Sequence, residues 1–304
     1  MIRDIFFRSL KNRFDWRGAA PERVWHCVKY VGRSLLMARQ QARWLSFLYG
    51  SESMKQIAAR DPRIHERPHH HYINRRLTRA SRFDIIESHY RFLLKRWPIA
   101  LLEDIYIRDG VSLGKLTLKD GSNVELCLRI PVGRSREGEL ALYLLRSDGQ
   151  ALASIIFTIA NDGASTLIGC VQGASDGLGL DAVRQFTRQS HGLRPKNLLL
   201  SMLYAFCEVF DIRDLRGVGN HNHPFAGSRK IKADYDAFWK ECQGVRLGNG
   251  FYQLPQREAV RDERLIESKS RSAFRKRETL RGEATDLIRR RFGTTCLRAT
   301  ALAA

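Results

Sequence analysis

The sequence predicts an α+β fold in which a helical, basic N-terminal region precedes a largely antiparallel sheet with packed helices. Three observations predict this fold. Short apolar runs separated by Asp-Gly turns fill residues 100–171, as in an antiparallel meander. Residues 192–220 combine a helical apolar period with a short apolar run after it, which is half of an α/β unit. Positive charge is concentrated in residues 1–100.

The composition is that of a folded protein that functions in a reducing compartment. Of the 304 residues, 43% are hydrophobic and 10% are aromatic, which excludes a disordered chain. No apolar run approaches the roughly 20 residues that a membrane-spanning helix needs, and residues 1–18 carry charges where a secretory signal would be apolar. The six cysteines are scattered without a C-x-x-C motif. We therefore expect reduced thiols and a cytoplasmic location.

The net charge of +20 is unevenly distributed. Residues 1–100 hold 21 Lys and Arg against 8 Asp and Glu, residues 101–255 hold 18 against 17, and residues 256–304 hold 13 against 7. A near-neutral middle with basic flanks predicts an anionic partner for the flanks, either a phospholipid surface or nucleic acid. Nucleic acid is the less favoured of the two, because no helix-turn-helix, zinc-finger or ribonucleoprotein motif is present.

Four segments follow from these patterns. Residues 1–20 form a basic amphipathic extension, which lies on a membrane or docks its apolar side on its own protein. Residues 21–98 form a helical basic region, with helices expected at 21–49, 53–60 and 82–97. Residues 99–255 form the α/β domain, and residues 256–304 form a charged tail that is helical and solvated, or disordered. The sequence predicts no metal site, because adjacent histidines such as His69, His70 and His71 do not converge on one ion.

The meander is expected to contain six strands joined by tight turns. Asp-Gly turns at 119–123 and 146–150 predict hairpins between the second and third strands and between the fourth and fifth. The predicted strands are 104–108, 113–119, 124–130, 140–146, 151–160 and 165–171.

The stretch from Gly192 to Asn220 is the most informative part of the sequence. Pro195 suits the first turn of a helix, because its missing N–H group costs nothing there. The free N–H groups of a helix start, beside Arg194 and Lys196, offer a seat for a phosphate or a carboxylate. The alternative is that Arg194 and Lys196 are only solvated residues at a helix start.

Five short motifs occur in order along the chain. They are Ser-His-Tyr-Arg-Phe at 88–92, Leu-Ile-Gly-Cys-Val-Gln-Gly at 167–173, Gly-Leu-Arg-Pro-Lys-Asn-Leu-Leu at 192–199, Ala-Asp-Tyr-Asp-Ala-Phe-Trp at 233–239 and Tyr-x-Leu-Pro at 252–255. Together they resemble the VirK/YbjX family, a bacterial family without an assigned biochemistry. The resemblance covers roughly residues 25–255 and implies a link to virulence, envelope stress and resistance to antimicrobial peptides.

The order of elements also looks like that of the GNAT acyltransferases. In that fold the pyrophosphate of the acyl donor sits at the start of the central helix, which corresponds here to residues 194–198. The resemblance implies acyl-coenzyme A as the cofactor, although Arg-Pro-Lys-Asn replaces that family's glycine-rich motif. The protein would then be an acyltransferase-like enzyme, or a relative without activity, that is cytoplasmic or peripheral to the inner membrane.

Nine residues are candidates for binding a phosphate-bearing ligand or for catalysis. A general base must reach the proton that it removes, and His223, Asp234 and Tyr235 are the titratable groups near the proposed cleft. Their alternative roles are a loop histidine, a helix-capping aspartate and a core aromatic residue. The candidate ligand-binding residues are Gln172, Gly173, Arg194, Lys196, Asn197 and Asn220. The competing function is a non-catalytic protein whose basic N-terminal region binds anionic lipid or nucleic acid.

Overall fold

An eight-stranded sheet lies at the centre of the structure, a computed structural model that describes residues 2–132, 136–175, 177–227, 233–260 and 262–301, with side chains up to residue 293. The strands are β1 (Val111–Thr117), β2 (Asn123–Arg129), β3 (Leu140–Arg146), β4 (Ala151–Ala160), β5 (Ser165–Gln172), β6 (Asp214–Val218), β7 (Val245–Arg246) and β8 (Phe251–Gln253). Their order is β1-β2-β3-β4-β5-β6-β8-β7, and every pair is antiparallel except β5 with β6. The predicted meander is confirmed over β1 to β5.

Ten α-helices surround this sheet within the described residues, which confirms the α+β class. The helices are α1 (Ile2–Ser9), α2 (Ala20–Leu36), α3 (Ala38–Leu48), α4 (Glu52–Arg60), α5 (Arg79–Arg96), α6 (Ile99–Tyr106), α7 (Gly179–Gln189), α8 (Pro195–Val209), α9 (Tyr235–Glu241) and α10 (Ser268–Ala301). None of them combines the length and the apolar character that a bilayer span requires.

Two predicted elements of the first half are wrong in detail. The expected strand 104–108 overlaps the last turn of α6 and the turn after it. The buried residues Leu101, Leu102 and Ile105 of α6 follow a helical spacing rather than a strand alternation. The expected helix 21–49 is divided into α2 and α3 at Met37, whose φ of −127° and ψ of 33° are not helical. A short apolar run fits both the helical period and the strand period, so the sequence alone could not decide between a helix and a strand at 104–108.

Helix α8 packs across the sheet as predicted. It lies against β3, β4 and β5, and its residues from Leu198 to Cys207 are all buried. The helix therefore lies between the sheet and α10, and it is the second helix of the crossover from β5 to β6.

Of the two alternatives expected for the charged tail at 256–304, the structure has the helical one over Ser268–Ala301, and one side of this helix is packed on the protein instead of being solvated. Helix α10 packs against α8 and β1. Its buried side chains Leu280, Ala284, Ile288 and Phe292 recur every four residues and form one stripe. The ring of Phe292 stacks on Trp97 at 5.6 Å. Charges separate these four anchors in the sequence and hide the stripe.

A buried polar network attaches the N-terminal basic region to the sheet. The Glu139 carboxylate, just before β3, accepts hydrogen bonds from the hydroxyl groups of Tyr72 at 3.0 Å and Tyr90 at 2.7 Å, and it pairs with Arg67. Arg67 also pairs with Asp61 at 2.6 Å. One hydrophobic cluster includes residues from Met37 to Phe292. The division into four segments stays a prediction, although a single core links the helical region, the sheet and α10.

Candidate functional site

Strands β5 and β6 are the one parallel pair of neighbours in the described sheet, and β5 extends beyond their pairing. The pairing of β5 with β6 runs from Ser165 opposite Asp214 to Ile168 opposite Gly217. Beyond it, β5 continues to Gln172 while β6 ends at Val218. Helices α7 and α8 form the crossover between the two strands. A cleft can therefore open between the free end of β5 and the start of α8.

A cleft of about 660 Å³ lies at this position. Four apolar residues from the strand ends and from α7 line it, and we call them its apolar floor. Four cationic residues from α7 and the start of α8 line it as well. The apolar residues are Leu152, Ala153, Val171 and Val183, and the cationic residues are Arg184, Arg188, Arg194 and Lys196. An apolar floor beside four positive charges fits a ligand that has both an apolar part and an anionic part.

The structure brings four of the predicted ligand-binding residues to this cleft: Gln172, Gly173, Arg194 and Lys196. Asn197 lines a neighbouring cavity of about 420 Å³ instead. Asn220 is engaged in structure, because its Nδ2 donates to Asp234 Oδ1 at 2.8 Å and its Oδ1 accepts from the Tyr235 main-chain N–H at 2.7 Å.

The positive charge at the cleft is carried by side chains more than by the helix start. The N–H groups of Asn197 and Leu198 both donate to the Arg194 carbonyl, at 3.0 and 3.1 Å, and Pro195 has none to offer. Arg194 pairs with Glu241 on the surface. Lys196 Nζ lies 4.1 Å from the centre of the Phe238 ring. Burial, and after it the charge of Arg194, lowers the pKa of Lys196, so an incoming anion would stabilise its charged form.

The predicted catalytic residues take different positions. Asp234 is exposed and caps α9, since its Oδ1 accepts from the Ala237 N–H at 3.0 Å. That hydrogen bond, followed by the one from Asn220, lowers the pKa of Asp234. Tyr235 and His223 are buried and stack on each other, with ring centres 5.2 Å apart. Asp234 therefore acts as a cap in this arrangement, and neither ring faces solvent.

A buried cluster surrounds these two rings, and two of its members were missed by sequence analysis. His223 Nε2 lies 3.0 Å from Glu137 Oε1, and Tyr235 Oη lies 3.2 Å from Cys170 Sγ. Burial, and after it the charge of Glu137, raises the pKa of Cys170 well above that of a free thiol. Cys170 is therefore a protonated thiol and not an activated nucleophile. The residues of this cluster come from separate segments of the chain, so no motif of fixed spacing in the sequence connects them.

The same cluster has the donor types that could hold a metal ion. Donor atoms of Glu137, Cys170 and His223 all lie within 4.8 Å of one another, and zinc takes all three kinds of ligand. The Phe225 N–H donates to His223 Nδ1 at 3.2 Å, so the neutral ring carries its proton on Nε2. That nitrogen is close enough to Glu137 for an ion pair but is not directed at it as a hydrogen bond requires. Zinc would have to displace this proton.

The histidine run lies elsewhere and has other roles. His69 is buried, its Nε2 lies 2.8 Å from Gln41 Oε1, and its ring stacks on Tyr30. His71 Nδ1 lies 3.2 Å from a guanidinium nitrogen of Arg82. These contacts hold the segment against the N-terminal helices.

The fold and the cleft together define a class of α+β protein. Its cleft lies at the parallel pair of strands, is lined by apolar and basic residues, and has the size of a small-molecule site. The chain belongs to the VirK/YbjX family. A family model described as "Protein of unknown function (DUF535)" matches residues 20–288, and the motifs that predicted the family lie inside that range. The predicted family membership is confirmed.

Relatives in two other bacteria resemble the chain over most of its length. The "Uncharacterized protein YbjX" of Escherichia coli strain K12 is 30% identical over 270 residues, which cover 84% of this chain and 82% of that protein. Two uncharacterized proteins of Haemophilus influenzae strain Rd are 24% and 25% identical, over 82% and 73% of this chain and 84% and 74% of their own lengths. The similarity to these proteins therefore extends over most of each chain and is not confined to one segment.

Proposed function

We propose that the protein binds an amphipathic, phosphate-bearing ligand of the acyl-coenzyme A class in the cleft between β5 and α8. The observation that carries this proposal is the combination, in one cleft, of an apolar floor with Arg184, Arg188, Arg194 and Lys196. The volume of about 660 Å³ lies within the range of about 300–1,000 Å³ that is usual for small-molecule sites.

The cationic residues fit phosphate better than a single carboxylate. Arginine guanidinium groups donate to two oxygens at once, while lysine acts as a compact charge. Arg188 forms no ion pair with any residue that the structure describes, and the Arg194 pair with Glu241 is solvent-exposed and easily exchanged. Several positive groups are therefore available to one polyphosphate.

The apolar floor provides contacts for the apolar part of the ligand. Leu152, Val171 and Val183 would contact an acyl chain or a similar apolar group. The position also supports the resemblance to the GNAT fold, in which the donor pyrophosphate meets the start of the central helix. Here that helix is α8, which begins at the cleft.

We propose binding and assign no transfer step. Asp234 caps a helix, while His223 and Tyr235 are buried, so none of the predicted catalytic groups is placed as a solvent-facing base. In the cell, the protein would serve as an accessory factor in envelope stress, antimicrobial-peptide resistance and virulence, which is the role that the family resemblance implies.

The double change Arg194→Ala with Lys196→Ala should abolish ligand-induced stabilisation. For the natural protein, an acyl-coenzyme A at about 100 times its Kd should add about 2.7 kcal/mol to the free energy of unfolding. The double variant should gain little at the same concentration, because two phosphate contacts are lost. Thermal-shift assays with coenzyme A, decanoyl-coenzyme A and inorganic phosphate measure this difference.

The matched control is Arg213→Ala with Lys269→Ala, which removes two exposed cations that are both in surface ion pairs. Both double variants should melt within a few degrees of the natural protein without ligand, since exposed pairs contribute about 0–1 kcal/mol. Equal ligand stabilisation in both variants would contradict the proposal. So would a large loss of stability for the cleft variant without ligand, because Arg194 and Lys196 would then be structural.

A further inference from the structure

Helix α2 is attached to the protein by a narrow polar side. Of its 17 residues, Tyr30 and Ser34 are buried. The Tyr30 hydroxyl lies 2.8 Å from Ser9 Oγ and accepts a hydrogen bond from Gln41 Nε2 at 3.0 Å, and the Tyr30 ring stacks on Phe6. These contacts hold the helix on α1 and α3 and fix which side of it faces outward.

The outward side of α2 is apolar. Five of its large apolar side chains are 54–75% exposed: Val24, Trp25, Val28, Leu35 and Leu36. At about 100° per residue they occupy an arc of about 120° on the helix, which we call the α2 apolar face. The positions between them in this arc are Pro21 and Gly32, so the face carries no charge. A surface helix normally turns its apolar stripe inward, and α2 does the reverse.

Cations border this face. Lys29 and Arg33 lie along one edge of the arc, with one carboxylate, that of Glu22, between them. Lys29 Nζ is 4.6 Å from the centre of the Trp25 ring. At the other edge, Val24 lines a surface groove of about 830 Å³ together with Phe14 and the exposed Arg23. Phe14 is itself exposed, so the apolar surface continues into the segment after α1.

We propose that the α2 apolar face docks on the surface of an anionic phospholipid membrane. An amphipathic helix with basic edges lies in the interface plane with its apolar side among the acyl chains, and tryptophan is favoured at that depth. The excess of 21 Lys and Arg over 8 Asp and Glu in residues 1–100 attracts acidic headgroups. The same excess repels a second copy of the chain, which disfavours dimerisation through this face.

The α2 apolar face is separate from the cleft. It bears on the expectation that residues 1–20 lie on a membrane or dock their apolar side on their own protein. That extension docks partly on its own protein, since Ile5 and Phe6 pack on the core cluster and Ser9 is buried. Ile2, Phe7 and Phe14 remain exposed. Most of the membrane-facing surface is therefore supplied by α2, beyond the segment in which sequence analysis expected it.

Sedimentation of the full chain with lipid vesicles tests the proposal. The protein should bind vesicles of mixed phosphatidylcholine and phosphatidylglycerol, and binding should weaken as salt shortens the Debye length from about 10 Å to 3 Å. The variant Val28→Asp with Leu35→Asp should bind at least tenfold more weakly, because two charges enter the apolar face. The control Val260→Asp with Leu265→Asp alters two even more exposed apolar residues elsewhere and should bind like the natural protein. Far-UV circular dichroism verifies that each variant is folded.

Four outcomes would overturn the proposal. Equal binding to pure phosphatidylcholine vesicles would remove the role of acidic lipid. Unchanged binding of the α2 variant would show that another surface is responsible. A dimer of the natural protein that the α2 variant dissociates would make a second copy the occupant. Binding to duplex DNA with a steep salt dependence, without vesicle binding, would assign the basic region to nucleic acid.

Discussion

Replacing Arg67 with methionine is expected to lower the free energy of unfolding by about 3–5 kcal/mol. Arg67 pairs with the fully buried Glu139 carboxylate and with Asp61 at 2.6 Å. The substitution leaves a charge inside the protein without its cation, and the two tyrosine hydroxyls that also donate to Glu139 cannot replace it. Urea denaturation of the natural protein and the variant measures the loss.

A second substitution separates the charge from the packing. Tyr72 and Tyr90 donate to different oxygens of the Glu139 carboxylate. In the double variant Arg67→Met with Glu139→Gln, the amide oxygen accepts from one of these hydroxyl groups and the amide N–H donates to the other. No unpaired charge remains on residue 139, so stability should partly recover. The control Arg184→Met breaks an exposed pair with Asp181 and should change stability by less than about 1 kcal/mol. A cost for Arg67→Met no larger than that of the control would show that this network does not hold the helical region to the sheet.

Truncating Leu203 to alanine should cost about 2–5 kcal/mol, because a fully buried side chain is lost from the middle of α8 and a cavity remains. This helix contacts β3, β4, β5 and α10, so the cavity would lie where sheet and helices meet. The matched control is Leu180→Ala on α7, where the leucine is 71% exposed. Equal urea midpoints for the two variants would contradict the position of α8 in the core.

Local patterns in the sequence were sufficient for the centre of the fold. The Asp-Gly turns at 119–123 and 146–150 lie between the strands that they were expected to join, and Gly121 and Gly149 have φ values of 82° and 80°, which such turns require. The start of α8 at Pro195 was equally clear, because proline at the first helical position and an apolar period after it are both local signals.

Features that depend on tertiary structure could not be predicted in this way. The buried stripe of α10 has one apolar residue in four, which is too sparse to stand out among charges. Glu137, Cys170 and His223 come from a loop, a strand and a second loop, and only the folded sheet brings their donor atoms together. Asn197 was expected to line the same site as Lys196, but the two residues lie on different sides of α8 and line different cavities.

Hydrogen–deuterium exchange of the full chain with decanoyl-coenzyme A tests the central claim most directly, because it reports where the ligand binds. If the ligand binds in the cleft, we expect slower exchange in the segments that line it, which are residues 171–173, 183–188 and 192–196. The exchange rates in α2 should not change. Exchange that is slowed only elsewhere, or not slowed at a saturating concentration of the ligand, would contradict binding in the cleft.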